Sequence, residues 1–326
     1  MSPARPRVLV ALRPNGIEPP GLRRSVEGLV DLVLVTGVDG VPADAGDIEI
    51  AFVWNFRSTV VPDAIGRLTD LRWVHVAAVG VDASLSAEVR RRQLTVTNSR
   101  GVTAVAMAEY ALTLMLAHAK DLPTTLADQA DRRWRPRETR LLAGTTLVTV
   151  GVGAVNRELA CRAKSMGMRV IGVGRTARHI NGFDQVVGAD QLERAMAEAA
   201  YVVVATPLTE ETRGMVGATE LAALPDGAVI VNIGRGPVIE EAALVQEIDS
   251  GRLGGVGLDV VWREPLEPDH PLWQHDRVLL SPHMSADFVG WETAMVDLFV
   301  TNLRRYLTGQ SVLNVVDLDL GYAPLN

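Results

Sequence analysis

Thr146-Leu147-Val148-Thr149-Val150-Gly151-Val152-Gly153-Ala154-Val155-Asn156 is the stretch that decides the fold. A run rich in β-branched residues ends in Gly-x-Gly, and a helical pattern at 154–166 starts at once. A strand that enters a helix through such a turn is built to hold a pyrophosphate. Gly151 permits the tight turn, and Gly153 lets the backbone come close to the anion. The free amides at the helix start, those of Ala154, Val155 and Asn156, then face it. Asn156 stands where this fingerprint usually has a third glycine, so the helix is expected to pack on its strand slightly differently.

On the carboxyl side of this turn, further strands are expected at 169–173, 201–205, 228–233, 256–260 and 278–281, with helical patterns such as 240–249 between them. With the first, that makes six buried strands joined by helices, as a doubly wound nucleotide-binding domain requires. On the amino side, apolar runs at 8–12, 32–35, 48–54, 73–77 and 95–98 alternate with turns such as Pro19-Pro20-Gly21 and a helix-like stretch at 84–92. This is a second βα alternation, hence a second α/β unit with a largely parallel sheet. A last long helix is expected over 289–307. The apolar stretch 102–119 has the length of a membrane span, but Glu109 in its middle and His118 near its end make a buried helix the better reading.

A chain of 326 residues can bury two cores, and 48% hydrophobic with 22% charged residues is ordinary for a soluble enzyme. The formal net charge of −7 argues against nucleic-acid or membrane-surface binding. A single cysteine, Cys161, excludes an internal disulfide framework and suits a reducing cytoplasm. The run at 8–12 is broken by Arg13 and Pro14, too soon for a secretory signal. No His/Cys/Asp/Glu spacing suggests a metal site. Lys120 and Lys164 are the only lysines among 32 basic residues, so any one arginine is weak evidence by itself.

If the nucleotide is NAD, the strand at 169–173 should end on a carboxylate that binds the adenosine ribose. The sequence instead reads Val173-Gly174-Arg175-Thr176, with Arg178 and His179 close behind. A guanidinium and a hydroxyl suit a 2′-phosphate, so NADP(H) is the preferred cofactor and NAD(H) the alternative.

Three fragments in the second half lie at or beyond the carboxyl ends of expected strands, where open α/β sheets bind ligands. They are Val231-Asn232-Ile233-Gly234-Arg235-Gly236-Pro237, Leu258-Asp259-Val260 with Glu264-Pro265-Leu266, and Leu280-Ser281-Pro282-His283. Together with Ala78-Val79-Gly80-Val81-Asp82, the stretch 98–109 and the C-terminal helix, this order resembles the D-isomer-specific 2-hydroxyacid dehydrogenases, the group that includes glyoxylate/hydroxypyruvate reductases. The resemblance implies two Rossmann-like domains with the active site in a cleft between them. A flavodoxin-like substrate domain would be formed by 1–98 and 289–326, and the dinucleotide domain by 99–288.

The chemistry of such a reaction explains the residue types. Reducing a 2-keto acid needs a hydride at the carbonyl carbon, a proton at its oxygen and a cation for the carboxylate. Arg235 supplies the cation with its fixed fork, and His283 is the natural acid–base group. Glu264 beside it would fix the ring and favour its charged form. The resemblance assigns these three residues the same roles. It further implies that the amides of Val79 and Gly80 hold the substrate carboxylate and that Thr206 lines the ribose or nicotinamide. Ile233 would back the nicotinamide ring, Asp259 hold its carboxamide, and Ser285 touch cofactor or substrate. Each taken singly has a plainer reading as a turn, a cap or core packing.

Trp54, in the loop Trp54-Asn55-Phe56-Arg57, and Trp291 are expected to close a small side-chain pocket, suiting glyoxylate or hydroxypyruvate. The polar stretch 128–140, within 120–145, corresponds in the family to an arm that embraces a second subunit. With the apolar helix at 102–119 it makes a homodimer the expectation, with Trp134 a candidate to reach the neighbouring active site. The rival readings are an NAD-dependent dehydrogenase of a larger D-2-hydroxy acid and a nucleotide-sensing, corepressor-like protein. A dehydrogenase of phosphoesters is disfavoured because no regulatory domain follows 326.

Overall fold

Strands covered by helices on both faces read as mostly apolar runs, and those of this chain do, with polar residues such as His75, Thr97 and Thr149 buried among them. The computed structural model describes residues 5–324. The chain divides into two compact units, Met1–Val102 with Val289–Asn326, and Thr103–Phe288.

The first unit contains β1 (Arg7–Ala11), α1 (Leu22–Val26), β2 (Asp31–Val35), β3 (Ile48–Val53), α2 (Val60–Ala64), β4 (Trp73–Val76), α3 (Ala87–Arg91) and β5 (Thr95–Asn98). The second begins with α4 (Ala104–Ala119), α5 (Leu122–Ala130), β6 (Thr146–Val150), α6 (Ala154–Ser165), β7 (Arg169–Val173) and β8 (Gln185–Val187). It continues through α7 (Leu192–Met196), β9 (Tyr201–Val204), α8 (Ala218–Ala223), β10 (Val229–Asn232), α9 (Glu241–Asp249), β11 (Gly255–Leu258) and β12 (Val278–Leu280). The last helix, α10 (Trp291–Leu307), belongs to the first unit.

The sheet of the first unit is wholly parallel, in the order β2-β1-β3-β4-β5. Side chains alternate across it. Val8, Val10, Ile50, Phe52 and Trp73 join one core with Met295, Phe299 and Leu303 of α10, while Leu9, Ala11, Ala51, Val53, Val74 and Val76 join the other. The α10 residues are spaced by four, which puts them on one helical face. Phe299 stacks on Phe52 with centroids 4.1 Å apart. Beneath the carboxyl end of β5, Asn302 is fully buried and bonds Leu313 through both its amide and its carbonyl groups.

The second unit is also parallel, in the order β12-β11-β10-β9-β6-β7-β8. The chain reverses direction across the sheet between β6 and β9, the switch point where such sheets bind nucleotides. The expected two doubly wound α/β domains are therefore present, but the second sheet has seven strands rather than six. The addition is β8, whose three residues are too few to register as a period in the sequence. The helix-like stretch 84–92 also resolves differently, as a single 3₁₀ turn at Asp82–Ser84 followed by α3, which Ser86 caps by accepting from the Val89 amide. α5 was not anticipated. Among the described residues no helix is long and apolar enough to cross a membrane. In α4 the apolar residues lie on several sides because the helix is packed against both α6 and β10.

Candidate active site

In the second unit all strands run the same way, so the residues that follow β6, β9, β10, β11 and β12 emerge on one edge. After β10, the buried Asn232 shapes the turn. Its Oδ1 accepts from the Gly234 amide at 3.0 Å, and its Nδ2 donates to the Arg235 carbonyl at 3.0 Å. Arg235 emerges from this turn with its guanidinium donating to the Gly234 carbonyl at 2.9 Å. Gly236 next to it must be glycine, since a Cβ there would lie 2.1 Å from the Val261 carbonyl carbon.

After β12 the chain turns through Ser281-Pro282-His283, and His283 has φ of 55°. A left-handed conformation in a residue other than glycine costs about 1–3 kcal/mol and persists only where its surroundings enforce it. Here they do. The His283 amide donates to the Asp259 carbonyl at 2.8 Å. The Asp259 carboxylate, almost wholly buried, accepts from the Ser281 hydroxyl at 2.6 Å and from the amides of Met284 and Ser285, each at 2.9 Å. Asp259 thus organises the whole 281–285 turn, a task the sequence reading missed when it gave this residue only a carboxamide to hold. The one available signal was an acid placed directly after a buried strand.

His283 Nδ1 lies 2.8 Å from Glu264 Oε2, while Glu264 Oε1 accepts from the Val261 amide at 3.3 Å. With Glu264 as a carboxylate, Nδ1 carries the proton of that bond and Nε2 is the chemically active edge. Both side chains are about one-fifth exposed, so the pair is reachable by a small molecule yet shielded from bulk water.

The dinucleotide turn follows β6. Gly151 has φ of 101°, and a Cβ there would lie 2.8 Å from the Ala205 carbonyl oxygen. Gly153 is the exposed N-cap of the 12-residue α6, and no acidic side chain occupies its first turn. The helix start is therefore suited to a phosphate. Asn156 fits where a glycine was expected because its amide group donates to the carbonyls of Val150, at 3.2 Å, and Gly151, at 2.8 Å. The altered packing is a staple across the turn rather than a gap. Beyond β7, Arg175 and Thr176 are exposed, and no carboxylate lies between 174 and 179. Thr206 is half-buried beyond β9, and Ile233 and Ser285 are buried. Among the described residues no cluster of His, Cys, Asp or Glu has the form of a metal site.

Further candidates lie in the first unit. Val79 is 37% exposed beyond β4, followed by the half-buried Gly80. Trp54 and Trp291 do come together, stacked at 6.0 Å, but Trp54 is only 3% exposed. The Arg13 guanidinium lies about equally over both rings, at 5.0 and 5.1 Å, and pairs with Glu292 at 2.8 Å. The aromatic pair is packed under a cation, which the sequence reading did not foresee. In the arm, the buried Asp128 is faced by Arg133 at 3.3 Å, Arg135 at 3.1 Å and Arg137 at 3.7 Å, and Trp134 is almost wholly exposed.

Comparison with known proteins gives a consistent result. Residues 112–285 match the sequence model of the D-isomer specific 2-hydroxyacid dehydrogenase NAD-binding domain. A glyoxylate reductase of Korarchaeum cryptofilum is 31% identical over 258 residues, 77% of each chain. Among solved structures, a D-isomer specific 2-hydroxyacid dehydrogenase of Xanthobacter autotrophicus in complex with NADPH is 31% identical, with a TM-score of 0.84 over 98% of this chain and 100% of that one. An NADPH-dependent glyoxylate/hydroxypyruvate reductase of Sinorhizobium meliloti in complex with NADP and sulfate is 27% identical, with a TM-score of 0.85 over the same shares.

Proposed function

The chain belongs to the D-isomer specific 2-hydroxyacid dehydrogenases, and from that premise we propose that it uses NADPH to reduce glyoxylate to glycolate or hydroxypyruvate to the D-2-hydroxy acid. Its kin make it an NAD(P)-dependent oxidoreductase of the glyoxylate/hydroxypyruvate reductase type. The observation that carries the finer reading is the His283–Glu264 pair at 2.8 Å, on the sheet edge that also bears Arg235.

The nicotinamide supplies the hydride when bound. The protein supplies the rest. His283 Nε2 gives its proton to the ketone oxygen and takes the hydroxyl proton in the reverse direction, while Glu264 fixes the tautomer and the ring plane. Arg235 holds the substrate carboxylate and polarises the ketone, since its fork presents parallel N–H donors. In the other unit, the amides of Val79 and Gly80 are the proposed carboxylate holders. The amides of Gly153, Ala154, Val155 and Asn156 at the α6 start suit the pyrophosphate, with Gly151 making their turn. Arg175 and Thr176 suit the 2′-phosphate. Thr206, Ile233, Asp259 and Ser285 border the nicotinamide riboside in this reading. The chain acts as a homodimer through α4, α5 and the arm, where Leu126, Trp134 and Leu141 are at least 65% exposed and need cover. A monomer in sedimentation at micromolar concentration would remove that part of the reading.

The test is absorbance at 340 nm with glyoxylate, hydroxypyruvate, pyruvate and a bulkier keto acid, each with NADPH and NADH. Turnover of the small acids with NADPH is expected. Turnover with NADH alone overturns the cofactor preference. Cofactor binding with no oxidation overturns the enzymatic reading in favour of a nucleotide sensor.

A further inference from the structure

Three carbonyls in and after β4, those of Val76, Ala78 and Val79, are held by two residues at the end of the neighbouring strand. Ser99 Oγ donates to the Val76 carbonyl at 3.1 Å, the Ser99 amide donates to the Ala78 carbonyl at 2.8 Å, and Asn98 Nδ2 donates to the Val79 carbonyl at 2.7 Å. In a planar trans peptide the carbonyl and the following N–H point in opposite directions. Pulling the carbonyls of Ala78 and Val79 toward β5 therefore turns the N–H groups of Val79 and Gly80 away from it. Neither amide donates to any group among the described residues. Two adjacent free N–H groups presented by fixed peptide planes form a concavity for an anion.

The residues that do the holding are themselves fixed. Asn98 and Ser99 are at most 1% exposed. Asn98 Oδ1 accepts from the Arg100 amide at 3.2 Å, and the Asn98 amide donates to the Asn314 carbonyl at 3.2 Å. Asn314 returns a bond to the Asn98 carbonyl, also at 3.2 Å. Behind Ser99 runs a one-way chain. Trp73 Nε1, which can only donate, gives its proton to the Thr97 hydroxyl at 2.8 Å, leaving the Thr97 proton for His75 Nδ1 at 2.7 Å. The His75 proton then sits on Nε2, which faces Ser99 Oγ at 3.4 Å, and Ser99 passes its own proton to Val76. All four side chains are buried, so the chain has no water to exchange with.

We propose that Asn98, seconded by Ser99, is a positioning residue for the substrate: it orients the peptides on either side of Val79 so that their two amides meet the carboxylate. This rests on the reading of Val79 and Gly80 as the carboxylate holders. Asn98→Asp keeps the shape and replaces the donor with an oxygen that repels the Val79 carbonyl.

The experiment uses the NADPH-loaded enzyme with three probes: glyoxylate, glyoxal as its counterpart without a carboxylate, and oxamate as an inhibitor that has one. The native enzyme is expected to prefer glyoxylate to glyoxal by roughly a hundredfold or more in kcat/KM. No preference there means that the carboxylate reading fails and takes this inference with it. Given the preference, Asn98→Asp raises the glyoxylate KM and the oxamate inhibition constant about tenfold each, the worth of one buried hydrogen bond. Its glyoxal kcat/KM and its NADPH affinity stay within about twofold of native. Unchanged glyoxylate KM and oxamate inhibition overturn the positioning role while the carboxylate reading stands. Equal losses on glyoxylate and glyoxal also overturn it, since they mean a general disturbance of the unit. Should Asn98→Asp not fold, Ser99→Ala removes one clamp without changing the shape and is expected to shift the same two constants about threefold. No shift there counts against the proposal.

Discussion

At the carboxyl edge of the β4–β5 sheet, side chains hold backbone in place. At the carboxyl edge of β10–β12, Asn232 and the buried Asp259 carboxylate hold the turns from which the side chains of Arg235 and His283 project. The difference follows from what each edge must do. An anion can be met by peptide N–H groups, which need orientation but no titration. Proton transfer needs an imidazole, whose rotamers must be taken away at a cost of about 1 kcal/mol or more, with the left-handed backbone of His283 costing about 1–3 kcal/mol besides. Three bonds to the Asp259 carboxylate, each worth roughly 1.5–3 kcal/mol, are enough to offset both. The lesson is that the residues proposed to act depend on buried neighbours that hold their turns in place.

His283→Ala gives the largest expected effect. Turnover should fall by roughly a hundredfold or more, with NADPH binding unchanged, because only the proton donor is lost. Near-native turnover would show that another acid acts and that the second edge has no special group to hold. Asp259→Ala breaks the comparison from behind. It leaves His283 in place but releases the turn, so kcat is expected to fall about tenfold to a hundredfold, with a stability loss of about 2–4 kcal/mol. A stable protein with native kcat would mean that the turn holds itself.

Legibility in the sequence follows the same division. The proposed catalytic side chains stood out only as an ordered set, since Arg, Glu and His each follow successive strands although each alone has a plainer reading as turn, cap or packing. All strands of both sheets except the three-residue β8 were readable, because burial on both faces makes their apolar runs nearly continuous. What stayed hidden was the support. Asn232, Asn98 and Ser99 are small polar residues whose bonds go to carbonyls, and nothing in a sequence says which carbonyl. Asn156 looked like a lost glycine, although its amide restores the turn that glycine would only permit. Arg13, drawn from β1's end to cover two tryptophans from distant segments, is a purely tertiary event.

The buried chain behind the first edge makes a distinct prediction about pH. Burial lowers the His75 pKa from 6.5 to about 3, so its ring is neutral in the fold and protonated below 6.5 when unfolded. The unfolded state then binds the extra proton, and stability falls as pH drops from about 6.5 toward 3. At pH 5 the loss attributable to this group is about 2 kcal/mol. His75→Gln removes the titration while keeping polar atoms, so the decline in Tm between pH 7.5 and pH 5 should be smaller in the variant than in the native protein. Parallel declines would mean that His75 finds a way to charge inside the unit.

The smallest effect belongs to a third region that neither edge describes, the exposed turn after β7. Arg175 is solvated, so a charge-assisted bond to a 2′-phosphate is worth less there than inside the fold. Its charge already reaches the Glu211 carboxyl, which is held below its usual range first by the Thr209 hydroxyl and, more weakly, by Arg175. Replacing Arg175 with Ala should raise the NADPH dissociation constant about tenfold and leave that of NADH within about twofold, a gap that narrows at high salt. The contrast with Asp259 is then one of kind. A residue that binds a ligand at the surface changes affinity for one ligand only, whereas a buried support changes the rate for all. Equal loss for both cofactors would mean that Arg175 also acts as a support, holding the turn through its neighbours.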